Sequence, residues 1–121
     1  MGDRSKNFSN SEFRCKCGQC EPILPPDELI DILQDVRDHF DAPVTIHSGH
    51  RCPVYNKRVG GAKRSQHMKA IAADHTVKGV SPNKVQKYLL AKYPDTLGIG
   101  RYNTFTHVDT RPGKARWDNR R

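Results

Sequence analysis

A carboxylate inside an apolar strand is the feature that most limits how this chain can fold. Residues 70–77 read Ala-Ile-Ala-Ala-Asp-His-Thr-Val, an apolar and partly β-branched run that predicts a strand with Asp74 inside it. A charged side chain in such a segment costs free energy unless it is paired or bound to a cation. We therefore expect the fold to bring a cationic partner or a metal ion to Asp74.

Two histidines offer partners of suitable chemistry. His67 precedes Asp74 by seven residues and follows a Gly-containing loop, and His107 lies in a further predicted strand at 105–109. Zinc binds imidazole nitrogen and carboxylate oxygen at about 2.0–2.2 Å, and three protein ligands leave a fourth position for water. His67, Asp74 and His107 are therefore the predicted ligands of a catalytic Zn²⁺.

Asp109 belongs to the same predicted strand as His107. The two-residue period of a strand places both side chains on one face of the sheet. From that position the Asp109 carboxylate can act as a general base on the metal-bound water. It can also orient the imidazole of His107 from behind. Both roles are open at this point.

Hydrophobic spacing and turn residues predict the other elements. In chain order we predict a helix that begins after Pro26 and stops at 41–43, a strand at 44–48, a short helix at 53–58, the strand at 70–77, a helix from 81–82 to 93–94, and a hairpin of 97–102 with 105–109. Helices and strands are intermixed and the last pair looks antiparallel, which predicts an α+β fold. We expect a small antiparallel-rich sheet with flanking helices.

The chain has the length of one domain, and we expect residues 1–121 to form it. Residues 1–24 are predicted to be irregular, with Phe8 and Phe13 as anchors to the core. Much of the net positive charge lies in residues 111–121, and we expect residues 112–121 to form a solvated, partly disordered basic tail.

The net charge of +8 favours polyanionic partners such as nucleic acid, anionic lipid or the phosphates of a cell envelope. Aromatic residues make up only 7% of the chain and no DNA- or RNA-binding motif is present, so no nucleic-acid partner is expected. No apolar run approaches the length of a membrane span. The polar residues 1–10 also lack the apolar segment of a secretory signal.

Four cysteines are the remaining motif. Cys15, Cys17 and Cys20 form a C-x-C-x-x-C group, and Cys52 stands apart. A metal knuckle, a disulfide with free thiols, and reduced thiols all fit this grouping. The two separated C-x-x-C pairs of a zinc ribbon are absent, so Cys52 would have to supply the fourth ligand of a metal site.

Taken together, these segments resemble the M15 zinc peptidases, the group of D-Ala-D-Ala carboxypeptidases and phage endolysins. The matching segments are 48–56, 59–61, 65–67 with 72–74, and 100–102 with 107–111, and the likeness extends to 8–9 and 12–15. The resemblance implies an M15/hedgehog-like zinc peptidase domain. It also implies hydrolysis of peptide bonds in peptidoglycan, usually beside a D-amino acid.

The resemblance places Arg51 in the cleft, where an arginine binds a substrate carboxylate or stabilises an oxyanion. Relatives often carry glycine where Ala70 stands. Several carry the catalytic acid where Thr104 stands, and threonine cannot act as a base. In the closer branch the pattern is His-x-Asp, so the resemblance favours Asp109 as the base. Asp109 and Arg51 are thus the predicted catalytic residues.

The expected function is that of an endolysin-like endopeptidase. The alternatives are a D-Ala-D-Ala carboxypeptidase, and a zinc-retaining module that binds the cell wall or has a structural role without catalysis. The expected partner is a peptidoglycan stem peptide or cross-bridge, bound by a monomer. We expect the protein to be made in the cytoplasm and to act on the cell wall, after holin-type release or as a phage component.

Overall fold

The computed structural model of the protein describes residues 4–17, 23–61 and 65–120. Within these residues the α-helices are α1 (Asp27–Phe40), α2 (Pro53–Arg58) and α3 (Pro82–Lys92). The strands are β1 (Val44–Ser48), β2 (Ala72–Val77), β3 (Leu97–Arg101), β4 (Thr106–Asp109) and β5 (Lys114–Asp118). Two short 3-10 helices cover Asn10–Phe13 and Gln66–Lys69.

The strands form one sheet in the order β1-β2-β4-β3-β5. Every neighbouring pair is antiparallel except β3 and β5, which are parallel. The predicted α+β class and the antiparallel-rich sheet are confirmed. None of the helices in the described part of the chain combines the length and apolarity needed to cross a membrane.

One face of the sheet packs against α1 and α3 and forms the core. The helix α1 carries an apolar stripe that is buried at Leu29, Leu33 and Val36, while Phe40 at the end of the helix is only partly buried. Val85 and Leu89 complete the helical side of the core. The three central strands of the sheet each contribute an apolar side chain to the core: Ala73 from β2, Ile99 from β3 and Val108 from β4.

The N-terminal segment is attached to this core by two aromatic anchors. Phe8 and Phe13 are almost fully buried, with 1% and 2% of their surface exposed. Their rings lie 6.3 Å apart, and both belong to the main hydrophobic cluster. The anchoring role predicted for these two residues is confirmed.

The opposite face of the sheet carries a row of side chains from four adjacent strands. Asp74 of β2 pairs with His107 of β4, His107 pairs with Gly100 of β3, and Gly100 pairs with Trp117 of β5. Paired residues on neighbouring strands project from the same face. The sheet register therefore gathers these polar and aromatic groups on the face away from the helices.

The expectation of a disordered basic tail is wrong for residues 114–118, which form β5 along β3. The guanidinium group of Arg116 donates hydrogen bonds of 2.6–2.9 Å to four backbone carbonyls, those of Tyr93, Thr96, Leu97 and Ala115. The backbone N–H of Asn119 also donates to the carbonyl of Arg101 at 2.8 Å. The basic residues of this segment suggested a solvated tail, but the charge of Arg116 helps to hold β5 in the sheet.

Arg116 should therefore matter to the stability of the domain. We expect Arg116→Ala to lower the free energy of unfolding by about 1–3 kcal/mol, because carbonyls that now accept from a charged donor lose that partner. Lys114→Ala, an exposed position on the same strand, is the matched control and should change stability little. Urea unfolding of both variants measures the difference. Equal effects would mean that Arg116 contributes no more than an exposed lysine.

Candidate metal centre

The three predicted ligands meet where β2, β4 and the second 3-10 helix come together. The Asp74 Oδ1 atom lies 2.9 Å from His107 Nδ1 and 3.2 Å from His67 Nε2. All three side chains are buried, and their donor atoms lie within 4.8 Å of one another. Side chains 40 positions apart in the chain are thus gathered at one point by the sheet register and the helix before β2.

The hydrogen bonds on the far side of each imidazole show which ring nitrogen is turned toward Asp74. His67 Nδ1 lies 2.7 Å from the carbonyl oxygen of Gly49, which can only accept, so Nδ1 carries the proton. His107 Nε2 lies 2.7 Å from the carboxylate of Asp109, and the same argument applies to it. His67 Nε2 and His107 Nδ1 are then available as metal ligands, the usual arrangement of an imidazole supported from behind.

The 3-10 helix Gln66–Lys69 that carries His67 is fixed at both ends. The Ser65 hydroxyl accepts from the backbone N–H of His67 at 3.2 Å. The His67 carbonyl accepts from the backbone N–H groups of Arg51 and Ala70. Ala70 ends this helix with φ of 60°, a left-handed conformation that glycine adopts without steric cost. This conformation gives a physical reason for the glycine that relatives often carry there.

Hydrogen bonds between the carboxylates and the imidazoles shift the pKa values of Asp74 and His107. Burial raises the pKa of Asp74, but hydrogen bonds from His107 and His67 outweigh it, and the pKa lies below its ordinary value. Burial lowers the pKa of His107, but its hydrogen bonds to Asp109 and Asp74 outweigh that, and the pKa lies above its ordinary value. Asp74 is therefore an anion, ready to bind a cation.

The donor set fits a divalent metal. Two imidazole nitrogens and a carboxylate oxygen are ligands that zinc accepts, and two ligands on a tetrahedral zinc ion lie about 3.4 Å apart. The distances of 2.9 and 3.2 Å from Asp74 Oδ1 to the two nitrogens are close to that spacing. Small side-chain adjustments would therefore admit the ion.

A cavity of about 460 Å³ opens beside this cluster, and all three candidate ligands line it. Arg51 lies on its wall, with Nη2 3.4 Å from Asp74 Oδ2 and Nε 3.1 Å from the Ser48 hydroxyl. The sequence prediction placed Arg51 in a cleft, and the structure puts its charged group beside the candidate metal ligands. A substrate in this cavity would reach both.

The model of the Peptidase M15 family matches residues 6–109. The chain belongs to the M15 peptidases. The match covers most of the chain and includes His67, Asp74 and His107, so it agrees with the resemblance drawn from the motifs. No curated protein matches the chain. Membership places the protein among the metallopeptidases, a class of hydrolases, and β5 lies beyond the matched residues.

In this M15 peptidase, Asp109 contacts the nitrogen of His107 that is turned away from Asp74. Its side chain is fully buried, and besides His107 it binds Arg111, with Nε donating to Oδ1 at 2.8 Å and Nη2 donating to Oδ2 at 2.7 Å. Burial raises the pKa of Asp109, but hydrogen bonds from Arg111 and His107 bring it below its ordinary value. Gly98 faces this carboxylate across the sheet, and a side chain there would overlap it. Of the two roles left open, these contacts favour orientation of His107.

An aromatic wall, made of Tyr102, Phe105 and Trp117, borders the cavity. The rings of Tyr102 and Phe105 stack with centroids 4.3 Å apart, and Trp117 Nε1 donates to the Tyr102 hydroxyl at 2.9 Å. The Trp117 ring also lies 4.9 Å from that of His107. A side chain at Gly100 would overlap the Trp117 ring, so this glycine allows the indole to lie across β3.

Sequence reasoning missed Trp117, and it gave Arg111 no role. The signal for Trp117 lay in the alternating glycines of Leu97–Arg101, which indicate that bulky groups approach this face of the strand.

Three further histidines lie outside the cluster. His47 is near the surface and contacts the Thr76 hydroxyl at 2.7 Å, while His50 and His75 are buried and do not join the three candidate ligands. Thr104 is exposed in the turn before β4. Cys20 lies outside the described residues.

Removing any one candidate ligand should abolish tight metal binding at this site. We expect His67→Ala, Asp74→Ala and His107→Ala each to weaken zinc affinity by more than the ~10–100-fold that loss of an outer hydrogen-bond partner costs. His47→Ala is the control, because this histidine lies outside the cluster. Competition titration with a zinc-binding dye measures the affinity. A variant of the three that retained wild-type affinity would remove that residue from the ligand set.

Proposed function

We propose that this M15 peptidase uses Zn²⁺ to hydrolyse peptide bonds in peptidoglycan, as an endolysin-like endopeptidase acting on stem peptides or cross-bridges. One observation carries the proposal: two imidazole nitrogens and one carboxylate converge at the wall of an open cavity. Three protein ligands with an open position are typical of catalytic rather than structural zinc. His67, Asp74 and His107 are the proposed ligands.

When bound, zinc would supply a water of pKa near 7 and would polarise the scissile carbonyl. The chain's own residues provide the geometry. The Gly49 carbonyl and the Asp109 carboxylate hold the two imidazoles in position from behind. Arg51 provides a fixed positive charge next to Asp74, where it can bind a substrate carboxylate or stabilise the negative oxygen that develops during hydrolysis.

The charges around the site suit an anionic substrate. The carboxylates of Asp74 and Asp109 are each paired with an arginine, Arg51 and Arg111 respectively, so these four groups are close to neutral before metal binding. A divalent cation would then leave the site positive. Stem peptides of peptidoglycan carry free carboxylates, and the net charge of +8 also favours approach to an anionic wall.

We further propose that Asp109 is a positioning residue for His107 rather than the general base. Both of its oxygens accept from Arg111, and one also contacts His107. The carboxylate is fully buried, so a water in the cavity does not reach it without a rearrangement. Because the metal alone can bring the pKa of water close to 7, the proposal does not need a separate base to form the nucleophile.

One observation favours a second candidate, a metal-holding module without catalysis. Of the described residues that line the cavity, Asp74 is the sole carboxylate, and it is a proposed metal ligand. Position 104, where several relatives carry the catalytic acid, is an exposed threonine. Such a protein would bind the cell wall and hold its metal without cutting peptide bonds.

A digest of purified peptidoglycan and defined muropeptides, read by mass spectrometry, tests these functions. The endopeptidase converts cross-linked dimers to monomers, and His107→Ala or chelator treatment should abolish that conversion. Release of D-alanine from monomeric pentapeptides alone would instead identify a carboxypeptidase. Binding to cell walls with full metal content and no cleavage product would establish the noncatalytic candidate.

The role of Asp109 makes a separate prediction. If Asp109 orients His107, Asp109→Asn should weaken zinc affinity by about 10–100-fold, and excess zinc should restore part of the activity. If it were the base, the variant would keep its zinc and lose about 10²–10⁴ in turnover. Zinc occupancy and turnover, each with and without added zinc, separate the two.

Asp118→Asn is the matched control for this experiment. Asp118 is an aspartate of β5 that is bound to Arg120 instead of to a candidate ligand. We expect the control to leave zinc affinity unchanged. Loss of turnover at full zinc occupancy in Asp109→Asn would contradict the positioning role.

A further inference from the structure

Three cysteines that the proposed peptidase chemistry does not use lie together elsewhere in the fold. Cys15 and Cys17 follow the first 3-10 helix, and Cys52 directly precedes α2. The Sγ atoms of Cys17 and Cys52 are 3.7 Å apart, and the sulfur atoms of all three lie within 4.8 Å of one another. Residues 37 positions apart in the chain are therefore brought together by the tertiary fold.

We propose that Cys15, Cys17 and Cys52 bind a structural Zn²⁺ ion, separate from the ion at the peptidase site. Zinc binds thiolate sulfur at about 2.3 Å, and two such ligands on a tetrahedral ion lie about 3.8 Å apart. The distance of 3.7 Å between Cys17 and Cys52 fits that arrangement. A disulfide would need the two sulfur atoms at about 2.05 Å.

Backbone N–H groups donate hydrogen bonds to two of the sulfur atoms. The N–H of Cys52 donates to Cys15 Sγ at 3.3 Å, and the N–H of Tyr55 donates to Cys52 Sγ at 3.5 Å. Such contacts orient metal ligands. Binding of the ion displaces the proton of each thiol that is still protonated, up to three protons for the three cysteines.

The fourth position of a tetrahedral ion is left to a further donor. The sequence offers Cys20, three residues after Cys17, but this residue lies outside the described part of the chain. Three described thiols form the proposed site, and Cys20 stays unchanged in the variants that test it.

The ion would hold the N-terminal segment against the loop that supports the peptidase site. The N–H of His50 donates to the Phe13 carbonyl at 2.8 Å, just before the cysteines on each segment. The same loop supplies the Gly49 carbonyl that accepts from His67, and it carries Arg51. A metal at the cysteines would thus restrain the backbone on which the geometry of His67 and Arg51 depends.

The first test uses the full chain with His107→Ala, which removes a ligand from the peptidase site. Purified under reducing conditions, this variant should retain one zinc ion per chain. Replacing that zinc with Co²⁺ should give near-ultraviolet thiolate-to-cobalt charge-transfer absorption, which added zinc abolishes. A metal-free variant, or a cobalt spectrum without thiolate absorption, would overturn the proposal.

The second test places Cys17→Ser and Cys52→Ser singly in the otherwise unchanged chain. Each should lower the zinc content by one ion per chain and reduce the melting temperature, and the cobalt spectrum should lose its thiolate absorption. If either variant fails to fold, the His107→Ala experiment still decides the question. Alkylation and mass spectrometry that found Cys17 bonded to Cys52 in the chain as isolated would also overturn it. None of these readouts is peptidase activity, so they are independent of the proposed function.

Discussion

The buried carboxylate of Asp74, held between two imidazoles at the centre of the sheet, is the interaction on which the other features of the site depend. An unpartnered anion at this depth would be costly, and His67, His107 and Arg51 supply the partners of Asp74. That requirement fixes the register of β2 against β4 and the position of the 3-10 helix before β2.

Support extends outward from this centre through successive partners. The Gly49 carbonyl and the Asp109 carboxylate accept from the far sides of the two imidazoles, and Arg111 in turn compensates the buried charge of Asp109. Each of these groups satisfies a hydrogen-bonding group or a charge that would otherwise be buried without a partner. The loop around Gly49 is tied to the N-terminal segment by the His50 backbone, so residues far from the cavity contribute to the orientation of His67.

The sequence predicted those features that depend on local patterns. The stripe of α1, the strand around Asp74 and the hairpin that carries His107 follow from spacing within one element, and the structure agrees with all three. β5 was mistaken for a solvated tail, because its pairing with β3 is non-local and its charged residues resemble a solvated terminus. The position of Asp109 on the His107 face was predictable from the two-residue period. The partner that occupies its oxygens was not, because the contact with Arg111 depends on the turn of the chain after β4 and on the absence of a side chain at Gly98.

The aromatic wall has a consequence for the order in which the site is assembled during synthesis. Chains emerge from the ribosome with the N-terminal part first, and β5 follows every other described element in the chain. His67, Asp74 and His107 therefore leave the exit tunnel before Trp117 does. The candidate ligands therefore emerge before one side of the cavity does, and the surface that a substrate would meet is complete only once Trp117 has left the tunnel and β5 has paired with β3.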